Sequence, residues 1–196
     1  MMSQDVMEKV VDKFHRFCKL FNTVSYNMLD LNKKSKIAAV IIDLAPHFSI
    51  PKYKDDFIIT YLNEIYQHLA NYYVYYTCIY KNPLNKKIFV ENDENTYDSI
   101  NSTALEIEYL LSSVLNVNRA LIINLGKYKE HYYLNQFLKK YYYGNSIIFK
   151  FINIRHYSNY SKNNWDLNCS SFSSDIDNIK KCIKNLESCG INDRQK

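Results

Sequence analysis

Apolar positions along this chain follow two rhythms, and their alternation predicts the architecture. Ala38-Ala39-Val40-Ile41-Ile42 is a continuous apolar run, β-branched towards its end and closed by Asp43 and Pro46. Such a run reads as a strand buried on both faces, the condition of a parallel sheet. Residues 120–125, closed by Gly126, form a second run of this kind, and the aromatic and β-branched segments 72–80 and 146–154 supply two further strands. Between these runs the apolar spacing lengthens to three and four residues, which predicts helices. One covers 55–71, with Ile58, Tyr61, Leu62, Ile65, Tyr66 and Leu69 inward. A second follows the capping-box sequence Thr103-Ala104-Leu105-Glu106 and buries Leu105, Leu110, Leu111, Val114 and Leu115. A third covers 132–143 and stops at Gly144; a fourth runs from Ser174 through Ile176, Ile179, Ile183 and Leu186 to Gly190.

The connections refine this order. Asn82-Pro83-Leu84-Asn85 turns the chain into a short strand at 87–91, too soon for a parallel crossover, so this strand is expected as an antiparallel edge. Residues 92–100 read as an acidic surface loop, and 157–171 as a polar loop around the only tryptophan, Trp165. The expected fold class is α/β: a mostly parallel sheet with one antiparallel edge strand and helices on both faces. Ahead of it, residues 4–21 have amphipathic helical spacing. Their stripe of Val6, Val10, Phe14 and Phe21 is a candidate interface, expected to dock on its own domain, with a partner surface as the alternative. The chain thus divides into a helix and connector (1–36), one α/β domain (37–191) and a tail (192–196).

Composition changes this picture little. A length of 196 residues suits one domain with a real core. The net charge of +5 is dispersed in Lys pairs such as Lys33-Lys34 and Lys139-Lys140, which reads as solvated helix ends rather than a nucleic-acid surface. The five cysteines lack the C-x-x-C spacing of zinc or redox sites. With no long uncharged apolar segment and no signal-like start, an intracellular chain with reduced thiols is expected.

Asp43 is the position to question, because ligands of open α/β sheets bind beyond the carboxyl ends of the strands. The turn after it is not Gly-rich, so it makes no phosphate cradle. A two-metal nuclease would need carboxylates converging with Asp43, and the second buried strand ends Asn124-Leu125-Gly126 without one; Asp93, Glu94 and Asp98 are expected at the other edge. There is no Gly-x-Ser-x-Gly elbow, and no cysteine carries a local signature pairing it with His15, His47, His68, His131 or His156. The favoured role of Asp43 is structural, accepting backbone N–H groups from the turn that follows.

Val40-Ile41-Ile42-Asp43-Leu44-Ala45-Pro46, set in this order of elements, resembles the smaller von Willebrand A-like subunit family of the TFIIH core. Ser102-Thr103-Ala104 and Arg119-Ala120-Leu121-Ile122-Ile123 are similar to two further segments of that family, and the likeness spans roughly residues 37–190. The family's C-terminal zinc module has no counterpart before Lys196. The resemblance implies a von Willebrand A-like fold whose metal site is disabled. The matching positions are Asp43, Ala45, His47, Thr103 and Leu125, of which Ala45 and Leu125 offer no side-chain oxygen and His47 is a poor ligand for Mg²⁺. It further implies no enzymatic activity, no cofactor, no small-molecule substrate and no membrane. The implied place is the nucleus, in transcription initiation and nucleotide excision repair. The partners would be the other TFIIH core subunits, above all the larger von Willebrand A/RING subunit, and any DNA contact would be indirect. A von Willebrand A-type ubiquitin-receptor subunit of the proteasome and a nuclease of the PIN type using Asp43 are the alternatives. The former usually has Asp-Asn-Ser where this chain has Asp43-Leu44-Ala45.

Overall fold

A computed structural model describes residues 33–44, 52–80, 93–141, 147–163 and 166–189. In chain order these form β1 (Ile37–Asp43), α1 (Lys52–Gln67), β2 (Tyr73–Cys78) and α2 (Asp93–Tyr109), which runs on as a π-helical turn (Leu110–Val114). β3 (Arg119–Leu125), α3 (Lys129–Tyr141), β4 (Ile148–Ile154), a 3₁₀ helix (Tyr157–Asn163) and α4 (Ser170–Ser188) follow.

The four strands lie in the order β2-β1-β3-β4, and every described pairing is parallel. Asp43 is level with Cys78 of β2, Ile42 with Asn124 of β3, and Leu125 with Ile154 of β4. Every residue of β1 is buried, as expected for a central strand covered on both faces. Alternation along the strand divides the core in two. Ile37, Ala39 and Ile41 pack with Tyr61, Leu62 and Ile65 of α1 and with Ile176, Ile179 and Ile183 of α4. Ala38, Val40 and Ile42 pack with Ala104, Ile107 and Leu111 of α2 and with Leu134 and Leu138 of α3. Each fully buried Ile or Leu in these layers contributes roughly 1.5–3 kcal/mol of transfer free energy.

Four of the five predicted strands and the four core helices are present among the described residues, with shifted ends. α1 begins at Lys52 and ends at Gln67, α3 begins at Lys129, and α4 begins at Ser170. Two predicted loops are helical instead. Residues 93–100 form the first turns of α2. Thr103 therefore lies inside the helix and caps nothing; it is buried, and its Oγ1 donates to the Ile79 carbonyl at 3.3 Å. The π turn at the end of α2, closed by the Leu115 N–H on the Leu110 carbonyl at 2.9 Å, shifts the apolar stripe and leaves Val114 exposed rather than buried. Residues 157–163 read as polar from their serines and tyrosine hydroxyls, yet Tyr157 and Tyr160 are buried side chains that pack on Tyr61. The expected antiparallel strand at 87–91, the N-terminal stripe of Val6, Val10, Phe14 and Phe21, Gly144 and Trp165 lie outside the described residues.

A carboxylate of α4 fixes the chain after β4. Asp175 accepts the Arg155 backbone N–H at 3.0 Å, the Arg155 guanidinium at 3.1 Å and the Tyr160 hydroxyl at 3.2 Å. Arg155 is about half exposed, so its charge pair is partly screened, and the backbone bond does most to hold the segment. His156 is placed by this anchor.

Candidate functional site at the carboxyl ends of the strands

From β1 the chain crosses to β2 on one side and then returns to β3 on the other, so the switch point of the sheet lies between β1 and β3. The turns after β1, β3 and β4 meet there. Asp43, the last residue of β1, is wholly buried. Its Oδ1 accepts the Leu44 N–H at 2.7 Å, and its Oδ2 accepts the Tyr76 hydroxyl of β2 at 3.1 Å. The Nε2 of buried His156 lies 3.4 Å from Oδ1. The His156 Nδ1 accepts the Ser158 N–H at 3.2 Å and lies 2.7 Å from the Ser158 hydroxyl. With Nδ1 engaged as an acceptor, a neutral ring carries its proton on Nε2, facing Asp43. The carboxylate is thus capped by a backbone amide, a phenol and an imidazole.

Burial, and after it the Asp43 charge, holds the Tyr76 phenol well above the ordinary tyrosine range, so the hydroxyl remains a donor. Tyr157, whose ring lies 3.8 Å from that of His156, is pushed up for the same two reasons. His131, in the first turns of α3, is pushed down to about 4 by burial, which outweighs the attraction of Asp43 and the nearby Gly126 and Asp43 carbonyls. It is neutral at pH 7, and neither ring nitrogen has a hydrogen-bond partner among the described residues. Tyr128 lies edge-on to both imidazoles, 5.5 Å from His131 and 6.3 Å from His156. Gly126 makes this possible: it has φ +98°, and a Cβ there would come within 2.6 Å of the Tyr128 ring.

Of the positions singled out in the sequence, Asp43 is central to this cluster and does accept the N–H of the turn that follows it. Thr103 is near but engaged, because the Ile79 carbonyl it bonds belongs to a residue whose N–H reaches the Asp43 carbonyl at 3.0 Å. Leu125 is buried in the core. Ala45 and His47 lie outside the described residues. Sequence reasoning did not single out Tyr76, His131 or His156 as partners of Asp43. A signal existed for the histidines: each closely follows the carboxyl end of a strand, His131 after β3 and His156 after β4.

The order Ser158, His156, Asp43 resembles a proton relay for acyl transfer. Its geometry is that of a side-chain turn, since the Ser158 N–H and hydroxyl converge on the same nitrogen from two residues away. Among the described residues no group of three or more His, Cys, Asp or Glu is arranged to hold a metal ion. Compared with protein-family models, with curated proteins and with solved structures, the chain matches none.

Proposed function

We propose that this chain is a non-enzymatic von Willebrand A-like module that acts by protein–protein contact, as a structural subunit of TFIIH. One observation carries the non-enzymatic part. At the switch point, where open α/β sheets place their chemistry, the Asp43 carboxylate is buried and already bonded to Leu44 and Tyr76, with the His156 Nε2 3.4 Å away. A carboxylate in that state is a structural keystone for β2 and for the turns after β1 and β4 rather than a base or a ligand open to substrate. The central position of β1, with β2 and β3 as parallel neighbours, supports the von Willebrand A-like reading of the fold. The TFIIH part rests on the resemblance of residues 40–46, 102–104 and 119–123 to that family.

In this reading the partners are the larger von Willebrand A/RING subunit and the rest of the core complex, in the nucleus. Co-purification of the tagged chain from its native cell tests it. Recovery of the TFIIH helicase subunits is the expected result, and recovery of proteasome subunits in their place would overturn the assignment.

The same closed site predicts indifference to divalent ions. Thermal melting in millimolar Mg²⁺ or Mn²⁺ is expected to stay within about 1 °C of the ion-free value. An ion present at 100-fold excess over its dissociation constant would add about 2.7 kcal/mol. A stabilisation of that size, abolished by Asp43→Ala, would restore the nuclease alternative.

A further inference from the structure

We propose that the groove between α2 and α3 is a docking site for an acidic peptide segment of a partner protein, with an apolar side chain in the groove and carboxylates on Lys129 and Lys140. The groove has a volume of about 490 Å³. Its lining includes Ile100 and Phe137, Tyr97 of α2 and Tyr133 of α3, and Lys129 and Lys140. Tyrosine is abundant in this chain, so scattered exposed rings would mean little. These are not scattered: Tyr97 is 59% and Tyr133 54% exposed, on two different helices that line one groove, and Tyr132, 60% exposed, stands edge-on to Tyr133. Exposed aromatic surface gathered at a concavity marks an interaction site, because a tyrosine brings large contact area at small entropic cost.

Charge selects the occupant. Among the described residues, those lining the groove include two lysines and no carboxylate. Positions 129 and 140 are eleven residues apart, which on an α-helix returns them to the same face within about 20° and separates them by about 16 Å. A partner therefore needs carboxylates at that separation with an apolar residue between, a span of about five residues of extended chain. The segments of this chain nearest in sequence do not fit. Residues 81–92 carry Lys81, Lys86 and Lys87 against one Glu91, and residues 1–32 balance four acidic with four basic side chains. A nucleic-acid strand fits less well, since Ile100 and Phe137 give the groove an apolar lining with no phosphate-tracking row of basic residues beyond Lys129 and Lys140.

This inference rests on reading the chain as an interaction module, and its test separates the two. The intact chain is titrated against a fluorescein-labelled peptide, Asp-Glu-Phe-Leu-Asp-Glu. Micromolar-range binding is expected, weakened about tenfold or more by the K129E/K140E double variant and by Tyr133→Ala. A Lys-Lys-Phe-Leu-Lys-Lys peptide is expected to bind the double variant better than the parent. These side chains are exposed, so unchanged melting of the variants establishes that they fold. No binding up to about 1 mM, binding indifferent to K129E/K140E, or tighter binding of a single-stranded oligonucleotide that Tyr133→Ala weakens would each overturn the proposal. If helicase subunits still co-purify with a chain that binds no acidic peptide, the groove inference fails while the interaction-module reading stands.

Discussion

Asp43→Ala is expected to destabilise the domain by about 3–5 kcal/mol, since each buried donor left without its acceptor costs about 1–3 kcal/mol. Two donors lose their acceptor at once, the Leu44 amide and the Tyr76 hydroxyl, and His156 loses the carboxylate 3.4 Å from its Nε2. Tyr76 and His156 are both buried and cannot turn to water without opening the ends of β2 and β4. Asp43→Asn keeps an acceptor for the amide or the phenol and should cost clearly less. Urea unfolding measures both, with an unchanged m-value showing that the comparison is between like states. At this chain length the alanine variant should melt roughly 6–20 °C lower. A loss under about 1 kcal/mol would sink the structural account of Asp43, and a gain in stability would mean that the carboxylate is held there for function at the expense of the fold.

Acid sensitivity between pH 6.5 and 4 is the second expected result, and His131 is its source. Its folded-state pKa is about 4, against an ordinary value of 6.5, with burial as the leading cause. The unfolded chain therefore binds a proton that the folded chain refuses. The contribution of this group is complete above pH 6.5 and declines as the pH falls towards 4, by up to roughly 3 kcal/mol. Asp43 and His156 face the same ring and act in opposite directions, the carboxylate favouring the proton and the second imidazole opposing it. His131→Phe removes the titration while keeping a ring of similar size beside Tyr128. Its urea midpoint should vary less with pH across that window than the parent's, with the two curves converging or crossing on the acid side. Parallel curves would place the acid sensitivity elsewhere.

Much of the architecture was legible in the chain because it depends on local periodicity. Continuous β-branched runs at β1 and β3 identified central parallel strands, since only a strand covered on both faces can be apolar at every position. The three- and four-residue spacing of Tyr61, Leu62 and Ile65 and of Leu134 and Leu138 identified helices that the structure places on opposite faces of the sheet. What failed locally failed for a reason. Residues 93–100 lack an apolar stripe of their own and become helical by continuity with the buried turns of α2. Tyr157 and Tyr160 carry hydroxyl groups that mark them as polar in a sequence, while their rings fill the core beneath the 3₁₀ helix.

The sequence by itself determined the alternation of strands and helices and the placement of Asp43 at the carboxyl end of a buried strand, because both follow from short-range pattern. Only the tertiary structure decided what surrounds that carboxylate. Tyr76, His131 and His156 are 33, 88 and 113 residues from it along the chain, and the strand order β2-β1-β3-β4 brings all three to one point. No local propensity encodes that meeting. It arises because parallel strands in register deliver their carboxyl ends to the same edge of the sheet, and there a buried charge persists only where donors are already in place.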